Sequence, residues 1–136
     1  MQVCTALTEI HIRGFVHNDL RLSNIMTSER SGSTYSVDII DFGSTMRMGC
    51  ALPPEAITRR LSTGYLPGDT LITDKVDVYS LGRIAARLAA CMGNCCPSLM
   101  HMAEMCSKNE PQLRPTVADI QHQLQELGSP FYSTST

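Results

Sequence analysis

Apolar residues recur along this chain first at helical spacing, then in short alternating runs, then again at helical spacing. Val3, Ala6, Leu7 and Ile10 predict an amphipathic helix over residues 2–12. Gly14 ends it, with Arg13 in the last turn, where a cation suits the helix dipole. Phe15-Val16-His17 is a short extended run. Residues 24–27 and 36–40 then read as two strands, and residues 28–34 between them carry Ser-Gly-Ser turn chemistry, so the pair predicts a hairpin. A hairpin puts Asn24 and Asp41 at the open ends of adjacent strands, close in space.

Residues 44–73 keep no sustained period and hold Gly49, Pro53-Pro54, Gly64 and Pro67-Gly68. A long irregular segment inside a domain is usually functional or mobile. From residue 75 to 92 the pattern turns helical, with Val76, Tyr79, Ile84, Leu88 and Cys91 apolar on more than one face, which predicts a central buried helix. Gly93-Asn94 stops it. Residues 99–107 and 115–127 predict two more helices, the last opened by Pro115 or Thr116 and closed by Gly128. The expected class is therefore α+β, mainly α: one domain over residues 1–128 and a frayed polar tail over 129–136. There is no internal repeat.

Composition narrows the picture modestly. The chain has 136 residues, enough to bury about two-thirds of its unfolded surface. Eleven basic side chains face thirteen acidic ones, with no basic run of the kind that binds nucleic acid. No stretch approaches the ~20 apolar residues of a membrane span. The first residues lack the charged start and apolar core of a signal peptide, so an intracellular, cytoplasmic location is expected. Reduced thiols are then expected for the six cysteines. Cys91, Cys95, Cys96 and Cys106 cluster around His101, but no Cys-x-x-Cys pair is present and two of them fall in predicted helix. Ordinary turn or buried cysteines are the better reading.

Candidate chemistry lies in two short segments, His17-Asn18-Asp19-Leu20-Arg21-Leu22-Ser23-Asn24 and Asp41-Phe42-Gly43. An aspartate, an asparagine five positions on, and a second aspartate before Phe-Gly suit a site holding metal-bound phosphates. The pairing resembles the catalytic loop and the metal-binding Asp-Phe-Gly of the protein kinases. Downstream, Asp77-Val78-Tyr79-Ser80-Leu81-Gly82 is similar to the start of the buried kinase helix, whose aspartate hydrogen-bonds the catalytic-loop backbone. Arg114-Pro115-Thr116 is similar to the segment before the last kinase helix. Its arginine would pair with Asp69, at the end of a degraded Ala-Pro-Glu that reads Leu66-Pro67-Gly68-Asp69 here.

The resemblance covers nearly the whole chain and implies the C-terminal lobe of a serine/threonine or tyrosine-kinase-like protein kinase. That lobe is a helical bundle with a short β-hairpin carrying the catalytic and metal-binding loops; the N-terminal lobe is absent from the sequence. It implies ATP and Mg²⁺ as cofactors and a protein as substrate. Asp19 would accept the substrate hydroxyl proton, while Asn24 and Asp41 would hold Mg²⁺ through hard oxygens. Arg21 would contact phosphate where serine/threonine kinases carry a lysine, offering a fork in place of a point charge. Met26 would lie under the adenine ring. Ser62 would steady the Asp19–Arg21 pair, and His17 and Phe42 would join an apolar column. Arg21, with Ser23 in place of an arginine four residues after Asp19, leans toward serine/threonine over tyrosine.

The pattern also departs from the family. Asn18 replaces the arginine that normally receives a phosphorylated activation segment. Ser44, Thr45, Thr58, Ser62 and Thr63 are then expected to be no better phosphorylation sites than any exposed hydroxyl. A helix usual between Gly93 and Leu99 has largely gone. No glycine-rich loop, strand lysine or helix glutamate occurs in the sequence, so negligible phosphoryl transfer is expected of this chain by itself. An apolar pocket floor would be left for an N-lobe or a partner to cover. Two alternatives compete with the kinase reading: a pseudokinase-like interaction module and a small-molecule phosphotransferase. The matches at 77–82 and 114–116 disfavour the latter.

Overall fold

A computed structural model describes residues 2–30, 32 and 34–133, with side chains to residue 127. The molecule is helix-rich, with two small antiparallel sheets. Helix α1 (Gln2–Ile12) buries Cys4 and Leu7. It ends where Gly14, at φ +84°, donates back to the His11 carbonyl. Strand β1 (Phe15–Val16) follows, then the loop with the first motif, which closes in a single 3-10 turn, Leu22–Asn24. Strands β2 (Ile25–Glu29) and β3 (Tyr35–Ile39) form the expected hairpin, in register Ile25↔Ile39 through Glu29↔Tyr35. The second sheet pairs β1 with β4 (Met46–Arg47), fastening the chain beyond Gly43 beside the first motif.

Residues 44–73 are less irregular than their sequence suggests. Besides β4 they contain helix α2 (Pro54–Leu61) and an isolated bridge, Ala51↔Leu71. The helix is too short to display a period. Its marks are Pro54 in the first turn, Glu55 near the positive end of the dipole, and Arg59 and Arg60 near the negative end.

Helix α3 (Asp74–Cys91) is the centre of the molecule, capped by Thr73, whose hydroxyl accepts from the Lys75 amide. Val76, Asp77, Val78 and Ser80 in its first half are buried. Leu88 and Cys91, expected on a buried face, are exposed at its far end. Helix α4 (Pro97–Cys106) packs closely on α3. Gly82 allows this, since a Cβ there would stand 2.5 Å from Cys106 Cβ. The roughly 1 kcal/mol helix penalty of glycine is offset by that contact.

Helix α5 (Val117–Ser133) begins with a reciprocal cap: Thr116 Oγ1 accepts from the Asp119 amide, and Asp119 Oδ2 accepts from the Thr116 amide. It runs through Gly128 to Ser133, past the stop expected there, so most of the expected frayed tail is helix. Residues 134–136 of that tail lie outside the described residues.

The main core joins Cys4 and Leu7 of α1, Leu20 of the motif loop, Val78 and Ile84 of α3, Met102 and Cys106 of α4, and Ile120 of α5. A second cluster of Val16, Leu66, Ile72 and Val76 underlies β1 and the chain after α2. Among the described residues, no helix is long and apolar enough to cross a membrane.

Candidate active site

The first motif is held from beneath by a buried carboxylate. Asp77, fully buried on α3, accepts from the His17 amide at 2.9 Å and the Asn18 amide at 3.0 Å. His11 Nε2 lies 2.8 Å from the same Oδ2, tying α1 to the arrangement. An anion in the interior persists only where donors surround it, and here two loop amides and an imidazole do so. Asn18 adopts φ +69°, a left-handed conformation in which asparagine is among the better-tolerated residues. Its carboxamide donates to the Ser44 carbonyl at 3.0 Å and accepts from Arg60 at 2.6 Å.

His17 is buried. Its Nδ1 accepts from the Asp19 amide and its Nε2 donates to the Ile40 carbonyl, so the ring spans from the loop to the end of the hairpin. Phe42 meets it edge-on with centroids 5.0 Å apart. The Asp19 carboxylate is partly exposed and pairs with Arg21 at 2.7 Å. Asn24 is buried and donates through Nδ2 to the Asp19 carbonyl at 2.7 Å and carboxylate at 3.2 Å, which leaves its Oδ1 as the atom able to meet a cation.

The hairpin brings the second motif to the same place. The Ile40 amide donates to the Asn24 carbonyl at 2.9 Å, and Asp41 follows at φ +62°. Asp41 is exposed, and its Oδ1 accepts from the Gly43 amide at 3.2 Å. Asp19, Arg21 and Asn24 are thus joined in the loop, and Asp41 follows the residue that the hairpin bonds to Asn24. An amide oxygen and carboxylates are hard donors of the kind Mg²⁺ shares with phosphate and water. Among the described residues, no group of three or more His, Cys, Asp or Glu is placed to hold a metal ion.

Arg21 stacks on Tyr65, with 5.5 Å between its guanidinium carbon and the ring centroid; Arg87 approaches that ring at 5.1 Å. Met26 on β2 is about half exposed. Ser62 does not join the Asp19–Arg21 pair. Its hydroxyl donates to the Arg59 carbonyl at 2.6 Å and is spent closing α2.

The Arg114–Asp69 pair is present and bidentate, at 2.7 and 2.8 Å, with both side chains almost fully buried. Arg114 also donates to the carbonyls of Lys75, Lys108 and Asn109. Arg60, which sequence reasoning passed over, is buried. Burial lowers its affinity for its proton, with Asp69 and Asp77 pulling the other way. Two arginines at the end of α2 were the only available signal, and nothing local indicated which one turned inward.

The sequence profile of the protein kinase domain matches residues 1–92. The chain is 33% identical over 97 residues to serine/threonine-protein kinase Pkn1 of Myxococcus xanthus, covering 64% of this chain and 13% of that protein. Homeodomain-interacting protein kinase 2 of Mesocricetus auratus is 33% identical over 92 residues, covering 64% of this chain and 8% of that protein. The ovarian-specific serine/threonine-protein kinase Lok of Drosophila melanogaster is 32% identical over 104 residues, 71% of this chain and 20% of its own length. The chain therefore spans a fifth or less of the length of these relatives.

Proposed function

The chain belongs to the protein kinase family, and on that premise we propose that it is the C-terminal lobe of a serine/threonine protein kinase, carrying the proton-accepting and metal-binding half of the site. The observation that supports this best is the hairpin. It sets Asn24 beside the residue before Asp41 through one backbone hydrogen bond, while Asn24 holds Asp19 by two more.

Each residue then has a task. Asp19, oriented by Asn24 and Arg21, receives the proton of the substrate hydroxyl. Asn24 Oδ1 and the Asp41 carboxylate would hold Mg²⁺, and MgATP, when bound, would supply the γ-phosphoryl group, the metal offsetting its negative charge. Asp77 positions the loop without touching reactants, and Met26 offers an apolar floor to the adenine. The serine/threonine preference follows Arg21, Ser23 and the names of two relatives, both serine/threonine-protein kinases.

The 136 residues include no glycine-rich loop and no strand lysine for the phosphates. Catalysis of phosphoryl transfer is almost entirely positioning, so the chain alone is expected to bind metal–nucleotide weakly and to transfer phosphate negligibly. A second reading, an interaction module, draws on the exposed apolar side chains of Ile12 (75%), Met26 (52%) and Phe42 (51%).

Paramagnetic Mn²⁺ with ADP tests the first reading. Broadening of the amide resonances of Asn24 and residues 41–43, lost in Asp41→Ala, is the expected result. Broadening elsewhere, or unchanged by Asp41→Ala, rejects the metal assignment.

A further inference from the structure

One hollow of the molecule is bordered by no charged residue. It lies between the hairpin and helices α1, α3, α4 and α5, and has a volume of about 380 Å³. Val37 lines it from the hairpin, Leu81 and Ile84 from α3, Met102 from α4 and Leu124 from α5. It reaches the main core, since Ile84 and Met102 are each only 4% exposed, and its rim carries the exposed Thr27 and Leu88. The Thr27 hydroxyl and the Cys4 thiol are the polar side-chain groups among its lining residues.

Elementary chemistry limits what can fill such a space. Water needs two to four polar partners to be held, and this lining does not supply them. An extended peptide would bury amides and carbonyls beside side chains that offer nothing in return. A helix satisfies its own backbone, but with side chains it is about 10–12 Å across, too wide for a hollow of this volume. An alkyl chain is narrow, carries no polar group and gains from every methylene it removes from water. An apolar cavity of about 150 Å³ takes up benzene, so on the order of a dozen carbons fit here.

We propose that this hollow binds one aliphatic chain of medium length, as found in a fatty acid or its ester, with the polar head left in solvent. The chain enters past Thr27 and Leu88 and ends against Ile84 and Met102. Because no charge borders the hollow, the hydrocarbon and not the head group is recognised. Neither Asp19 nor Asp41 lines it, so the site stands independently of the proposed phosphoryl transfer.

Titration of the 136-residue chain with hexanoate, octanoate, decanoate and dodecanoate, each below its micelle concentration, tests the site by calorimetry and methyl-group NMR. One saturable site is expected, its affinity rising about threefold to fourfold for each added methylene until the chain outgrows the hollow. The largest methyl shifts should fall on Val37, Leu81, Ile84 and Leu124. Decanoate against methyl decanoate tells whether acid or ester is preferred, and saturable binding of either at these methyls supports the site. Thr27→Trp obstructs the rim and Leu88→Glu puts a charge on it. Both positions are exposed, so the fold is spared, and each change should weaken decanoate binding at least tenfold. No binding, binding without saturation, affinity indifferent to chain length, shifts centred on Ile12 or Met26, or affinity unchanged in both variants overturns the proposal.

Discussion

The segment that carries Asp19 and Asn24 is fastened from below by a buried carboxylate, whereas the loop that carries Asp41 is fastened at its flanks and lies open. Asp77 takes two amides of the first segment into the interior. Asp41 leans on the Gly43 amide, and Phe42, half exposed, touches His17 by one edge. The difference separates two requirements of the proposed chemistry. A proton acceptor must stand still relative to the substrate, so its backbone is anchored in the core. A metal ligand completes its geometry only when phosphate arrives, so its loop can stay accessible.

Substitutions that cut the anchors test one side of this contrast. Arg114→Ala is expected to have the largest effect, because it leaves Asp69 buried and unpaired, at a cost of about 3–5 kcal/mol. The urea midpoint should fall accordingly; a change within about 0.5 kcal/mol, typical of exposed surface sites, would refute the anchoring role. Asp77→Ala orphans two buried amides and is expected to cost about 3 kcal/mol. Hydrogen exchange at residues 17 and 18 should accelerate more than exchange across the hairpin, and uniform acceleration would show that the loop has no separate dependence on Asp77.

On the open side the expected effects are smaller. Asp41→Gly loses the carboxylate but relieves a left-handed conformation, so stability should move by less than about 1 kcal/mol. Cation binding should nevertheless vanish. A large loss of stability would mean that Asp41 is structural and would collapse the contrast.

The smallest effect concerns the thiols. Burial, reinforced by Cys4, pushes the Cys106 thiol up to about 12 from its ordinary 9.0. A group bound more tightly to its proton in the folded state contributes stability below pH 9, which is lost as pH rises toward 12. The urea midpoint should therefore fall over that alkaline window, and less steeply in Cys106→Ala. At neutral pH iodoacetamide should label the exposed Cys91 and Cys95 well before Cys4 or Cys106. Early labelling of Cys106 would show that the α3–α4 contact opens readily.

Much of the molecule was readable because its signals are local. The helix over residues 2–12, the hairpin and the central helix each repeat a period long enough to register. The motif spacings gave Asp19, Asn24 and Asp41 as candidates, while the resemblance to the protein kinases gave Asp77 and Arg114 with their partners, Asp69 for the latter. Helix α2 was missed because its eight residues complete barely two turns, and the two apolar positions sharing a face, Ile57 and Leu61, are too few to register as a period. The extension of α5 past Gly128 was missed because a glycine followed by Pro130 reads as a helix stop.

Sequence alone thus determined which residues could carry the chemistry and which strands would bring them near each other. Tertiary structure decided the rest: that Ser62 closes a helix, that Tyr65 lies between two arginines, and that Arg60 turns inward to Asn18 while Arg59 stays in solvent. The partners in the Arg60–Asn18 bond stand 42 positions apart. No local preference distinguishes two adjacent arginines at the end of a short helix. Only the packed chain fixes which of them faces the catalytic loop.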